Sequence, residues 1–98
     1  MYLVREVFHT KPGKAKELVK KLKLAEPYFK ESGMGNYKVM TDIATTYWTV
    51  VIETEVEDLG QFAKEVRGGG KPQPELEKIM EGYIDLVDGG FREIFLIE

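Results

Sequence analysis

The strongest constraint in this sequence is that two of its predicted strands carry apolar side chains at both odd and even positions. In predicted strand three, the two alternating sets are Trp48, Val50 and Ile52 against Tyr47, Thr49 and Val51. In the predicted last strand, they are Phe91, Phe95 and Ile97 against Ile94 and Leu96. Successive side chains of a strand project to opposite faces of the sheet, so both faces need cover. Leaving about six of these side chains in water would forgo on the order of 10 kcal/mol, which is comparable with the whole stability of a small domain.

Turn and helix signals divide the rest of the chain. Lys11-Pro12-Gly13 ends a strand over residues 2–9, and an apolar stripe with three- and four-residue steps predicts a helix from Ala15 to about Ser32. We expect the remaining elements as follows: a strand at 36–41, a turn at 42–45, a strand at 46–56, a short helix at 59–66, a helix from Pro74 to Val87, a turn at Asp88-Gly89-Gly90 and a strand at 91–97.

This order predicts an α+β fold of the ferredoxin-like βαββαβ type in one domain over residues 1–98. The sheet is then four-stranded and antiparallel, with strands one and three central and the helices on one face. Because the helices cover only that face, we expect a second copy of the chain to cover the other, as a homodimer or a higher homo-oligomer.

Charge and composition restrict the partners. The chain has a formal net charge of -3 at pH 7, and its lysine-rich helix is interrupted by Glu17 and Glu26, so nucleic acid is not an expected partner. No cysteine is present, which excludes disulfides and zinc-thiolate sites. No stretch is long enough to cross a bilayer, and the expected location is the cytoplasm. Scarce Asn and Gln beside abundant Lys and Glu are a bias of proteins from hot environments.

The run RGGGKP at residues 67–72 superficially suggests a phosphate-binding loop. A phosphate loop needs GxxxxGK followed by Ser or Thr between a strand and a helix, whereas this run follows a helix and has Pro72 in the last place. A flexible linker is the favoured interpretation, and a mobile lid over a pocket is a further hypothesis.

Two ionisable side chains stand out as candidates for chemistry. Glu53 lies within an apolar strand and needs a partner there, which is Glu6 if the even positions of strand one share its face, or Arg5 if the odd positions do. A pair of carboxylates suits general acid and base catalysis, whereas Arg5 would make a structural ion pair. His9 is the only histidine, so no metal site is expected.

Two segments resemble the dimeric α+β barrel superfamily, whose members stack two ferredoxin-like subunits sheet against sheet. They are VREVFHTKPGKAKELV at residues 4–19 and YWTVVIETEVEDLGQF at residues 47–62. Its members include antibiotic-biosynthesis monooxygenases, haem-degrading monooxygenases, stress-responsive barrel proteins and the NIPSNAP group. The resemblance implies a pocket between each sheet and its helices, and it favours Glu6 as the partner of Glu53.

The chain departs from the haem-degrading relatives. Their Trp late on strand three and the following His fall on Glu53-Thr54-Glu55 and Gln61-Phe62-Ala63-Lys64, and their strand-one Asn falls on Glu6. Haem degradation is therefore not expected.

The resulting functional hypothesis is a homodimer that binds a small hydrophobic or aromatic molecule without a cofactor, with a cofactor-free monooxygenase-like enzyme as one form of it. Glu53, Glu6 and His9 are the candidate catalytic groups. The expected pocket residues are Glu6, Phe8, Tyr47, Thr49, Glu53 and Tyr83. The alternative is a non-catalytic regulatory or assembly protein that uses the same dimer, and a ligand-sized pocket with polar groups would favour the first. A third possibility, an RNA-binding module, requires exposed basic and aromatic residues on the sheet.

Overall fold

A computed structural model describes all residues from 1 to 98. The strands are β1 (Tyr2–Thr10), β2 (Gly35–Thr41), β3 (Thr49–Val56) and β4 (Val87–Leu96), and the helices are α1 (Ala15–Glu31), α2 (Leu59–Val66) and α3 (Pro74–Met80), with a 3₁₀ turn at Tyr83–Leu86. The α+β ferredoxin-like fold predicted from the sequence is confirmed.

The four strands form one antiparallel sheet in the order β2-β3-β1-β4, so β1 and β3 are central as predicted. Val4 pairs with Thr54 and Glu6 with Ile52, which places the even positions of both central strands on one face. The odd positions, including Arg5 and Glu53, occupy the other face.

The helices pack on the even face. Leu18 and Leu22 of α1 are fully buried against Val50 and Ile52 of β3, and Phe62 of α2 closes a smaller cluster with two valines of β1 and β3. The molecule measures 35 × 34 × 19 Å, and the shortest of these dimensions corresponds to one sheet with one layer of helices. The odd face of the sheet, called the open face below, is therefore uncovered in the single chain.

Three element boundaries differ from the sequence-based prediction. β3 begins at Thr49 instead of residue 46, because the Asp42 carboxylate accepts the Thr49 backbone N–H and the Thr49 hydroxyl donates to the Thr46 carbonyl. Tyr47 and Trp48 therefore belong to the connecting loop, where Trp48 has a φ of 61°. The predicted helix from Pro74 to Val87 stops at Met80, since Gly82 adopts a left-handed conformation.

The third difference concerns Asp88-Gly89-Gly90, which was expected to form a turn. These residues lie within β4, where Gly90 pairs with Phe8 and Gly89 with His9, while Asp88 is the extra residue at a shift of register before Val87 pairs with Thr10. A Cβ atom at Gly90 would lie 2.0 Å from the backbone oxygen of Val7. Glycine at this position therefore extends the strand, because only a residue without a side chain permits such a close approach.

Tyr37 ties β2 to α1. Its buried hydroxyl donates to the Leu22 carbonyl at 2.7 Å. Burial, followed by the negative charges of Glu26 and Glu6, raises the pKa of Tyr37 above its ordinary value. The folded protein therefore holds this proton at a pH where the unfolded chain loses it.

Tyr37→Phe should accordingly cost about 1 kcal/mol of unfolding free energy at neutral pH and less in alkaline solution. Above a pH of about 10 the unfolded state binds fewer protons than the folded state, so the contribution of Tyr37 to stability falls as the pH rises. Urea unfolding of both proteins at pH 8 and pH 11 measures this difference. A difference that stays constant between the two pH values would contradict the assignment.

Candidate functional site

A cavity of about 350 Å³ lies between the even face of the sheet and the helical layer. Its floor is formed by Val4 and Glu6 of β1 and by Ile52 and Thr54 of β3. Its walls come from the end of α1, from α2 and from α3, and the segment 68–73 borders it between the last two. This volume is at the lower end of the range for small-molecule sites, so it suits a molecule of one or two rings.

Thr54 supplies the most informative polar atom of the cavity. The residue is 3% exposed, and its Oγ1 atom has no hydrogen-bond partner in the protein. A buried hydroxyl without a partner costs about 1–3 kcal/mol, which is why native proteins seldom keep one. Thr54 lines the cavity, but its Oγ1 atom has less than 1 Å² of accessible surface, so a bound molecule satisfies it only once the side chain turns toward the cavity.

Glu6 is the charged group on the floor of the cavity. Arg92 of β4 lies opposite it in the sheet, and Nε of Arg92 donates to Glu6 Oε1 at 2.7 Å while Nη2 contacts the same oxygen. Neither contact uses Oε2. The carboxylate is thus charge-paired and still has an oxygen free to accept a hydrogen bond.

The remaining lining divides into an apolar wall and an acidic border. The apolar part consists of Phe29, Met34, Phe62, Val66 and Leu76. Glu65 and Glu77 stand at the border with Lys71, so carboxylates outnumber cations among the residues that line the cavity. This arrangement disfavours an anionic ligand.

Segment 68–73 is the part of the border without regular structure. Gln73 Nε2 donates to the Tyr28 carbonyl at 3.2 Å, which fixes the end of the segment to α1. Gly70 lies so close to the Glu65 carboxylate that a Cβ atom there would meet it at 1.9 Å. The glycine-rich run that resembled a phosphate loop therefore lies along the cavity, where a lid would have to lie.

Of the two partners that the sequence allowed for Glu53, Glu6, which the resemblance favoured, is wrong, and Arg5 is the partner in the structure. The antiparallel register sets Arg5 opposite Glu53, and the Arg5 guanidinium contacts Glu53 Oε2 through Nη2 at 2.7 Å and through Nε at 2.8 Å. Glu53 therefore lies in an ion pair on the open face, on the opposite side of the sheet from Glu6. The two carboxylates cannot act together as general acid and base within one chain.

The other candidate residues are dispersed. His9 lies on the open face beside Phe91, with its Nδ1 atom 3.5 Å from the Thr49 hydroxyl. Phe8 and Tyr83 pack against the main core, and Tyr47 is exposed in the loop before β3. Of the six residues expected in the pocket, only Glu6 lines this cavity. No group of three or more His, Asp or Glu residues lies close enough together to hold a metal ion.

Thr54 is the residue that sequence reasoning missed, although a signal for it exists. The even positions of β3 run Val50, Ile52, Thr54 and Val56, and all four are buried. A single hydroxyl within an otherwise aliphatic buried face is a polar interruption that needs an explanation. Its role follows only once the surrounding helices leave a cavity above it.

Comparison with known proteins supports the fold. No protein-family model matches the chain, and no curated protein does. Among solved structures, a NIPSNAP domain protein from Burkholderia xenovorans superposes with a TM-score of 0.78 and 12% identity over 100% of this chain and 95% of that one. An antibiotic biosynthesis monooxygenase-like protein from Deinococcus radiodurans superposes with a TM-score of 0.72 and 16% identity over 100% of this chain and 93% of that one. A conserved protein from Methanosarcina mazei superposes with a TM-score of 0.72 and 20% identity over 99% of this chain and 92% of that one.

These neighbours are of the kinds that the sequence resemblance indicated, and they confirm the ferredoxin-like α+β fold of the single chain. At such identities the likeness concerns the backbone arrangement alone. None of the helices combines the length and the apolar character needed to span a bilayer.

Proposed function

We propose that this protein is a homodimer that binds a small, uncharged, ring-containing molecule in the cavity between sheet and helices, with a hydroxyl or amine of the ligand directed at Glu6 and Thr54. The observation that carries the proposal is the unpartnered Thr54 hydroxyl within a ligand-sized cavity. A cavity with polar groups favours ligand binding over the purely assembling or regulatory alternative, for which a filled core is expected. We place the protein in the cytoplasm, as expected from its sequence.

The chemistry of the ligand follows from the groups that face it. Glu6 pairs with Ile52, so Thr54 is its diagonal neighbour on the same face, at a Cβ separation of about 7 Å. Two hydrogen-bonding groups along one edge of a compact ring system can reach both side chains. The aromatic walls contributed by Phe29 and Phe62 suit the faces of such a ring.

A matched set of probes tests this ligand class: naphthalene, 2-naphthol and 2-naphthoate. We expect 2-naphthol to bind about tenfold more tightly than naphthalene, since one additional hydrogen bond is worth about 1 kcal/mol and one to a charged group more. The anionic 2-naphthoate should bind weakest of the three, because Glu6, Glu65 and Glu77 repel it. Titration calorimetry or ligand-observed NMR gives the three affinities.

Thr54→Val is the variant that separates binding from folding. It should weaken 2-naphthol about fivefold, leave naphthalene unchanged and not lower the melting temperature, since it removes an unsatisfied buried hydroxyl. Thr45→Val, the same substitution at an exposed residue of the loop before β3, is the control and should bind all three probes as the unmodified protein does. Equal affinities for naphthalene and 2-naphthol, or loss of stability in Thr54→Val, would contradict the proposed site.

An enzyme acting on the same ligand is the second candidate, and Glu6 is the observation in its favour. A carboxylate with one free oxygen inside a cavity can take a proton from a bound hydroxyl. Recovery of 2-naphthol after incubation in air with the protein distinguishes the two candidates. A binding protein returns it chemically unchanged, whereas a cofactor-free monooxygenase-like enzyme consumes one O2 and returns a naphthoquinone, with one oxygen atom more and two hydrogen atoms fewer, plus water, and Glu6→Gln fails to form this product.

A further inference from the structure

The open face carries one row of alternating charges across the whole sheet. Lys38 of β2 pairs in register with Glu53 of β3, Glu53 pairs with Arg5 of β1, and Arg5 pairs with Glu93 of β4. The row therefore reads plus, minus, plus, minus from one sheet edge to the other. The Arg5 guanidinium forms ion pairs with both neighbours, at 2.7 Å between Nη2 and Glu53 Oε2 and at 3.9 Å between Nη1 and Glu93 Oε2.

Apolar side chains lie on both sides of this row. On one side are Met40, Val51, Val7 and Phe91, and on the other are Leu3 and Phe95, with Glu55 as the one charged side chain beside Leu3. The row sums to zero charge, and the Glu53 side chain is only 17% exposed even without a cover. Such a surface is largely prepared for burial, since its central charges are already paired within the chain.

The order of charges has a symmetry that singles out one partner. Read in reverse, the row becomes minus, plus, minus, plus, which is the complement of the original. A surface that is complementary to its own reversal fits a second copy of the same chain, because a two-fold axis perpendicular to the row presents each copy with that reversal. An unrelated partner would have no reason to share this pattern.

Two limiting arrangements bring two such sheets face to face. If the two-fold axis runs parallel to the strands, between β1 and β3, Arg5 faces Glu53 of the second copy and Lys38 faces Glu93 of the second copy. If the axis runs along the row instead, each of the four residues faces its own counterpart, so that like charges meet at every point. Like-charge juxtaposition across an interface costs several kcal/mol.

We infer that the charged row selects the strand-parallel two-fold axis, so that β3 of each copy lies across β1 of the other and the edge strand β2 lies beside β4 of the second copy. This inference rests on the homodimer in the proposed function. In this dimer the charged row determines how the two copies are oriented, while the surrounding apolar side chains provide the contact area.

Reversal of the complete row provides the test. The variant Lys38→Glu/Arg5→Glu/Glu53→Arg/Glu93→Lys keeps the net charge and all neighbouring pairs within the chain, so it should fold and dimerise with itself. It is refolded together with an equal amount of the unmodified chain, one of them isotope-labelled, and the dimers are weighed by native mass spectrometry. Lys38→Glu/Glu93→Lys, which changes only the outer residues, is the second variant in case the full reversal does not fold.

The fraction of mixed dimers, which contain one variant chain and one unmodified chain, distinguishes three cases. With a strand-parallel axis, every cross-chain contact in a mixed dimer sets like charges together, so mixed dimers should be at least tenfold fewer than homodimers. If half of the dimers are mixed, the row does not face itself, and if more than half are mixed, the axis runs along the row. Either result overturns the inference while leaving the homodimer intact, whereas a monomer at all concentrations overturns the homodimer itself.

Discussion

Gly90→Ala is expected to lower the unfolding free energy by about 3 kcal/mol, which corresponds to roughly 12–24 °C in melting temperature for a domain of this size. The added Cβ would lie 2.0 Å from the Val7 backbone oxygen and 3.2 Å from the Phe8 Cα atom. Both contacts are with backbone of a central strand, which cannot rotate away as a side chain does. The β1–β4 pairing must therefore shift or open where β4 enters the sheet.

Gly89→Ala is the matched control for this substitution. Gly89 is the preceding residue of the same strand, and a Cβ atom there meets nothing within 4 Å. We expect stabilisation by at most about 1 kcal/mol, because alanine restricts the unfolded chain. Thermal unfolding of the two variants side by side gives the comparison, and equal melting temperatures would contradict the close approach of β4 to β1.

Phe91→Lys is expected to weaken self-association by more than a hundredfold. Phe91 lies on the open face opposite Val7, and in the proposed dimer its ring is covered by the second sheet. A lysine there places an unpaired ammonium group in the interface, twice per dimer, and an uncompensated buried charge costs about 3 kcal/mol or more. The single chain should tolerate the same change, because its open face is in contact with water.

Leu24→Lys provides the control at equal exposure. Leu24 of α1 is 54% exposed and Phe91 is 52% exposed in the single chain, so a protein that stayed monomeric would respond alike to both substitutions. Sedimentation velocity over a range of concentrations should find that only Phe91→Lys dissociates. Unchanged association of Phe91→Lys would remove the open face from the interface.

The element order and the central position of β1 and β3 were predictable because they depend on local patterns. The strand break at Lys11-Pro12-Gly13 and the alternation of side chains in β3 are both visible within a few consecutive residues. Few topologies are compatible with these elements in this order. The apolar character of the open face was predictable for the same reason, since Phe91 and Phe95 lie on one side of the same strand, and both are exposed in the single chain.

The partner of Glu53 could not be predicted because it depends on strand register. Arg5 and Glu6 are adjacent, and a shift of one residue exchanges the faces to which they project. The register of β1 and β3 is set by the packing of Val4, Val50 and Ile52 under the helices, which is a tertiary effect. The superfamily resemblance favoured the wrong side chain, since it fixes the fold more firmly than it fixes polar residues.

The superfamily resemblance implied a pocket between sheet and helices, but the residues that line the cavity were beyond sequence reasoning for a different reason. It exists because α2 and α3 are separate short helices joined by the segment 67–73, and their positions over the sheet are not encoded in any periodic pattern. A long helix from Pro74 to Val87, as predicted, would have covered the sheet differently.

The mass of the unmodified protein in solution tests most directly whether a second copy covers the open face. One chain has a mass of 11.2 kDa, and multi-angle light scattering at micromolar concentration should give twice that value or a multiple of it. A well-folded species at the mass of one chain would mean that the sheet remains exposed to water on one side, and the proposed dimer and its charged row would both be wrong.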